Sequence, residues 1–198
     1  MKYIRADKLR FDPRPELSRI FVEGFYSWIN RFNKDKEQLK AMFAHVFNLD
    51  QFYVAVEGRI IAAMTACTRS SSPISLRREV FVEKLGLICG TITYLRIKRN
   101  MVRNSYPFNL SPQTGSIEFV ACAPEFQQMG ITRELILYTM EANPYNAYVL
   151  EVADTNVFAV RLYTRLGYKE IKRIKAPSPK RNGVNYFLYM RKEMEERA

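Results

Sequence analysis

IEFVACAPEFQQMGITRELILYTM, residues 117–140, reads as a strand that passes through a short loop into a helix. Ser116 to Cys122 has strand character, and Pro124 ends the ladder because proline has no N–H to donate. Ile131, Leu135 and Tyr138 recur at helical spacing up to Glu141. Asn143-Pro144 stops that helix. Between strand and helix lies Gln127-Gln128-Met129-Gly130-Ile131-Thr132. The first helical N–H groups have no intrahelical acceptor. With the helix dipole they make a site for an anion. Gly130 lets the backbone come close to a phosphate, and Thr132 adds a hydroxyl donor. On the glycine alone, an ordinary strand-to-helix turn reads the same way. The loop matches neither GxxxxGK(S/T) nor GxGxxG, so ATP, GTP and NAD lose their usual warrants.

Further along, Ala147 to Val152 reads as a buried strand. NVFAVRLYTRLGY, residues 156–168, reads as a helix with Phe158, Leu162 and Leu166 at spacings of four, closed by Gly167 in a left-handed cap. The two segments together resemble the GNAT superfamily of N-acetyltransferases. That family's signature, (R/Q)-x-x-G-x-(G/A), follows its fourth strand and here reads Gln127 to Thr132, with Thr132 in place of the small last residue. Its second pattern, N-x-x-A-x-x-x-Y-x-x-x-G-(F/Y), is met at Asn156, Ala159, Tyr163, Gly167 and Tyr168.

The resemblance implies that the amides of Gln127, Gln128, Met129, Gly130, Ile131 and Thr132 hold the pyrophosphate of acetyl-CoA. It implies that the backbone of Val120, Ala121 and Cys122 pairs with the pantetheine arm, in an opening between the fourth and fifth strands. Asn156, with Ala159 on the same turn, holds that arm, and Tyr163 serves as general acid at the sulfur. The match covers residues 116–174 and extends weakly over the N-terminal elements.

Working outward, residues 2–7 form a first strand, and Leu17, Ile20, Phe21, Phe25 and Trp28 mark a helix up to Asn30. Asp35 to Phe47 forms a second helix. Gln51–Val56 and Arg59–Thr68 form a hairpin around Glu57-Gly58. Residues 77–103 fall outside the resemblance. Phe81, Leu85, Ile88, Ile92 and Leu95 alternate steps of four and three, which argues one inserted helix. Gly86 and Gly90 weaken it by about 1 kcal/mol each and permit close packing. Tyr168–Ile174 and Val184–Met190 form a last strand pair. The expected fold is α/β: a mixed central sheet flanked by helices, in a single domain over residues 1–198, with the inserted helical segment around 77–103.

The 198 residues carry a formal net charge of +11, which suits a polyanion, an anionic surface or a polyphosphate-bearing ligand and does not choose among them. The basic clusters, such as Arg96, Lys98, Arg99 and Arg103, read as solvated faces. Three widely spaced cysteines (Cys67, Cys89, Cys122) give no disulfide framework or metal motif. A lone histidine, His45, leaves a histidine zinc site or a Ser-His-Asp triad hard to build. No apolar run of membrane length or signal-peptide pattern is visible. The chain is therefore read as cytoplasmic, with no metal, no membrane partner and no nucleic-acid partner.

The chemistry expected is direct acetyl transfer from acetyl-CoA to a primary amine of a small molecule or peptide. Glu118 is the candidate base. By strand alternation it shares a face with Cys122. Glu151 is its rival on the next strand, and Asp154 is read as a cap of the following helix. Cys122 lacks an activating base and is read as apolar packing rather than an acyl-carrying nucleophile. The aromatic first helices and the segment 77–103 are expected to shape the acceptor side. Two other readings are an inactive acyl-CoA-binding regulatory domain and a basic nucleic-acid-binding module. A homodimer is common in the resembled family.

Overall fold

The computed structural model describes residues 1–69, 72–101, 106–177 and 183–194. Seven strands form one sheet, in the order β1-β2-β3-β4-β5-β7-β6. They are β1 (Lys2–Arg5), β2 (Phe52–Glu57), β3 (Ile60–Thr68), β4 (Thr114–Cys122), β5 (Ala147–Ala153), β6 (Lys169–Lys175) and β7 (Tyr186–Glu193). The helices are α1 (Arg14–Ile29), α2 (Lys36–Phe43), α3 (Arg78–Leu85), α4 (Leu87–Met101), α5 (Ile131–Ala142) and α6 (Val157–Arg165). All neighbouring strands are antiparallel except β4 and β5.

The local signals explain most boundaries. Pro15 sits in the first turn of α1, where its missing N–H costs nothing. The Asp35 carboxylate caps α2 by accepting from the N–H groups of Glu37 and Gln38. Gly58 turns the β2–β3 hairpin at φ +60°. Residues 178–182 of the loop between β6 and β7 and the basic residue Arg103 lie outside the described residues.

The core is in two parts, one on each side of the sheet. Leu17, Ile20, Phe21, Leu39, Met42 and Phe43 from α1 and α2 pack on Phe52, Val54, Met64 and Ala66. Leu135, Ile136, Met140 and Tyr163 from α5 and α6 pack with Ala63, Cys67, Ile117, Tyr148 and Leu150 on the other side. Burying each such aliphatic side chain contributes about 1.5–3 kcal/mol.

The inserted segment is helical over its described residues, 78–101, but is not one helix. Gly86, at φ +78°, closes α3, and α4 begins at Leu87. The two helices fold back on each other at Gly90, where a Cβ would collide with the backbone of Phe81. This break divides the apolar stripe. Phe81 is buried against Phe43 of α2, whereas Ile88, Ile92 and Leu95 point outward. The inward face of α4 is instead Gly90, Thr93 and Ile97.

Candidate functional site

The site begins with an irregularity in β4. Met64 pairs with Ala121 and Ala66 with Glu118, so two steps on β3 are matched by three on β4. The extra residue is a β-bulge, with Phe119 held at φ +51°. Its effect is to reverse the side-chain alternation. Glu118 lies opposite Ala66, on the α1 side, and Cys122 lies opposite Ala63, on the α5 side. Glu118 and Cys122 therefore stand on opposite faces, contrary to the simple alternation of a regular strand.

The second feature is an opening. β4 and β5 pair only at Thr114, Gly115 and Ser116 with Ala147, Tyr148 and Val149. Beyond Ser116 the two strands part, although β4 continues to Cys122 and β5 to Ala153. The Ala123 N–H is turned to β3, donating to Ala62 O. Alternation along the strand then turns the N–H and C=O of Cys122 toward the gap.

At the end of β4, Gln128 (φ +64°) and Gly130 (φ +77°) both take left-handed conformations. Gly130 precedes α5 with no side-chain cap, and its carbonyl accepts from Arg133 and Glu134. The amides of Ile131 and Thr132, ahead of the first helical acceptor, are left for an outside anion. Nothing lies within 4 Å of where a Cβ on Gly130 would stand, so the approach to those amides is open. Gln127, Gln128 and Met129 are exposed beside it. A diphosphate fits this cradle, and an extended amide-bearing arm fits the unpaired edge of β4. Thr132 lies beside the Cys122 thiol, and its hydroxyl favours the ionised form. Burial nonetheless raises the Cys122 thiol above its ordinary range, which keeps it protonated and a poor nucleophile.

On α6, the Asn156 Oδ1 caps the helix by accepting from the Ala159 N–H at 3.2 Å. Asp154 is not that cap. Its carboxylate accepts from Asn185 N at 3.1 Å and tethers the turn before α6 to the start of β7. Asn156 has its side-chain amide N–H groups left to offer a ligand. Tyr163 is buried on the α5 side, 5.9 Å from the ring of Tyr168. Burial raises its phenol well above the ordinary tyrosine value, so it keeps its proton at neutral pH. The Tyr168 hydroxyl is buried with no hydrogen-bond partner among the described residues.

Glu118 occupies the other side of the opening. Its carboxylate accepts from Ser116 Oγ at 2.7 Å and from Thr68 Oγ1 at 3.2 Å. Ser116 is also bonded to the hydroxyl of Tyr106. Glu151, on β5, lies opposite Tyr189, on the same α1 side. Both carboxylates thus border the gap from one face, and Tyr163 stands on the other. Sequence reading missed Tyr106 and Phe108. They lie in the loop after α4, and the Tyr189 ring meets them at 6.1 and 5.7 Å. A Pro-containing loop gives no periodicity that would reveal such contacts.

His45 takes no part. Its Nε2 accepts from Arg77 N at 3.1 Å, and its ring lies against Phe81, where α3 joins α2. Among the described residues no three His, Cys, Asp or Glu side chains gather as a metal set, and no helix is long and apolar enough to cross a membrane.

A family model for the acetyltransferase (GNAT) family matches residues 17–168. No curated protein matches the chain in sequence. Among solved structures, the chain is similar to an N-acetyltransferase from Staphylococcus aureus Mu50, at 11% identity and a TM-score of 0.67, over 96% of this chain and 100% of that one. It is similar to a ribosomal-protein-alanine N-acetyltransferase from Brucella melitensis, at 14% identity and a TM-score of 0.60, over 98% and 100%. It is also similar to the ribosomal-protein-S18-alanine N-acetyltransferase from Escherichia coli, at 12% identity and a TM-score of 0.57, over 100% and 96%. At these identities the likeness is one of fold.

Proposed function

We propose that this chain, which belongs to the GNAT acetyltransferase family, moves an acetyl group from acetyl-CoA directly to a primary amine of a small molecule or peptide. The observation that carries the reading is the parting of β4 from β5 beyond Ser116. It leads from the open amide cradle at Gly130 to a gap with carboxylates on one face and a protonated phenol on the other.

The division of groups suits the reaction. Acetyl-CoA supplies an activated acetyl group on a thiol leaving group. The acceptor amine must be neutral to attack the carbonyl carbon, and Glu118 takes its proton, through a water molecule where the two are not in contact. As the new C–N bond forms and the C–S bond breaks, Tyr163 gives its proton to the departing sulfur. The two protons then exchange with solvent and restore both side chains. Acid and base on opposite sides of the gap let the amine lose its proton on one side of the tetrahedral adduct while the departing sulfur gains one on the other. Ser116 and Thr68 fix the Glu118 carboxylate, and the backbone at Val120, Ala121 and Cys122 with the side chain of Asn156 fixes the donor arm. No acyl-enzyme is needed, and the raised Cys122 thiol is unsuited to form one. The described cysteines are unpaired, which fits the cytoplasmic location that belongs to this reading.

The test is calorimetric titration of acetyl-CoA into wild type and Gly130→Arg, followed by a thiol-release assay with a panel of amines. Wild type binds, the variant does not, and thiol release depends on the amine. Absence of binding by wild type, or thiol release at the same rate with and without amines, would overturn the proposal.

A further inference from the structure

We infer that the acceptor is a primary amine carried on an aromatic body, held in a ring of aromatic side chains that closes around Glu118 and Glu151 on the α1 side of the sheet. The inference rests on the acetyl-transfer reading and adds the class of substrate.

The ring can be traced contact by contact. Phe119, on the bulge of β4, meets Phe25 of α1 at 6.1 Å. Three residues along α1, Trp28 meets Phe187 of β7 at 5.9 Å. Two residues along β7, on the same face, Tyr189 meets Phe108 and Tyr106. Tyr106 is bonded to Ser116, and Ser116 to Glu118, the residue before Phe119. The circuit therefore leaves β4, crosses to β7 over α1 and returns to β4 through the loop at 106–108. It encircles the stretch where β4 and β5 are unpaired. Phe25, Trp28, Tyr106, Phe108 and Phe187 are each half-buried, so part of each ring stays accessible to a ligand.

Charge and shape select the ligand together. The chain as a whole carries +11, so a cation gains nothing from the general surface. Within the ring, Glu118 and Glu151 bring two carboxylates to the border of the gap, and aromatic faces attract an ammonium group as well. An amine drawn there is seated beside its base. Its remaining body must lie against ring faces, which favours a flat aromatic group. A polyamine would need anionic partners along its whole length. A hydroxyl-rich amine would leave many polar groups against hydrocarbon.

Trp28 is the sole tryptophan of the chain, so its emission reports directly on this ring. The experiment titrates 2-phenylethylamine, hexylamine, spermidine, and short peptides beginning with Phe or Ala into the full chain, with and without CoA. We expect saturable changes in Trp28 emission with the aromatic amine or the Phe-peptide, at least about tenfold tighter than with hexylamine. Which of those two binds tells a small molecule from a peptide source. In Phe108→Leu, which keeps apolar bulk and loses the ring, the preference should shrink to about threefold or less. Equal or tighter binding of hexylamine, spermidine or the Ala-peptide would overturn the inference, as would no saturable change with either aromatic ligand. This readout needs no turnover. Failure of acetyl transfer with aromatic binding intact would therefore count against the reaction and not against the ring.

Discussion

The ring of Trp28 on α1 lies 5.9 Å from that of Phe187 on β7, and this contact reaches over the gap between β4 and β5. A helix packed mainly on β3 and β4 is thereby tied to the far half of the sheet. The tie matters because β4 and β5 share only three paired positions. Phe187→Ala should cost roughly 1–2 kcal/mol, the loss of a half-buried ring and its aromatic partner. Trp28 emission should shift to the red as water reaches the indole. Denaturant unfolding with fluorescence detection checks both, and an unchanged midpoint and emission maximum would show that the contact carries no weight.

The buried hydroxyl of Tyr168 gives the opposite sign. It has no hydrogen-bond partner among the described residues, and burial, with neighbours including Tyr163, raises its phenol far above the ordinary value. An unsatisfied buried polar group costs about 1–3 kcal/mol. Tyr168→Phe keeps the ring in place and removes that cost. The variant should be more stable by about 1 kcal/mol, with a melting temperature a few degrees higher. A comparable loss of stability would mean that the hydroxyl has a bonded partner, such as an ordered water.

These features mark where sequence reading stops. The strand–loop–helix at 117–140 and the helix at 156–165 were legible because short-range rules govern them: a proline that ends a ladder, a glycine that takes positive φ, apolar residues at helical spacing, although the cap expected at Asp154 is supplied by Asn156. The expectation that residues 77–103 form one helix failed at Gly86. There the apolar spacing continues in sequence while the backbone turns to φ +78°. The faces of Glu118 and Cys122 were misjudged for a similar reason. A single extra residue in β4 is invisible in the sequence and moves every later side chain to the other face. The parting of β4 and β5 was expected from resemblance only. It depends on which pairs two distant strands do not make.

Cys67 makes stability sensitive to alkali. Burial, with a smaller contribution from the nearby Glu118 charge, pushes its thiol up to about 12 from an ordinary value of 9.0. The folded state thus keeps a proton that the unfolded chain releases between pH 9 and 12. In that window the unfolded state binds fewer protons, so stability falls as pH rises. The contribution is fully present below pH 9 and amounts to about 4 kcal/mol when the titration is complete. Melts of wild type and Cys67→Ala from pH 8 to 11 should show the steeper decline in wild type. Parallel declines would show that the thiol is not the group responsible.

Tyr163→Phe separates binding from chemistry. The ring is packed among Leu166, Tyr168 and the residues of α5, so loss of the hydroxyl leaves the fold and the amide cradle at Gly130 in place. Acetyl-CoA should bind as tightly as before, while kcat falls about 100-fold, the lower end of what a positioned acid contributes. The phenol is held above its ordinary range by burial, so wild type should show no alkaline loss of kcat from this group below pH 10. The decisive comparison uses an acetyl thioester of a more acidic thiol in place of acetyl-CoA. A leaving group that departs readily as thiolate has less need of a proton, so the deficit of the variant should shrink by at least about tenfold. If the deficit is the same for both donors, Tyr163 is a packing residue, and the proton reaches sulfur from elsewhere.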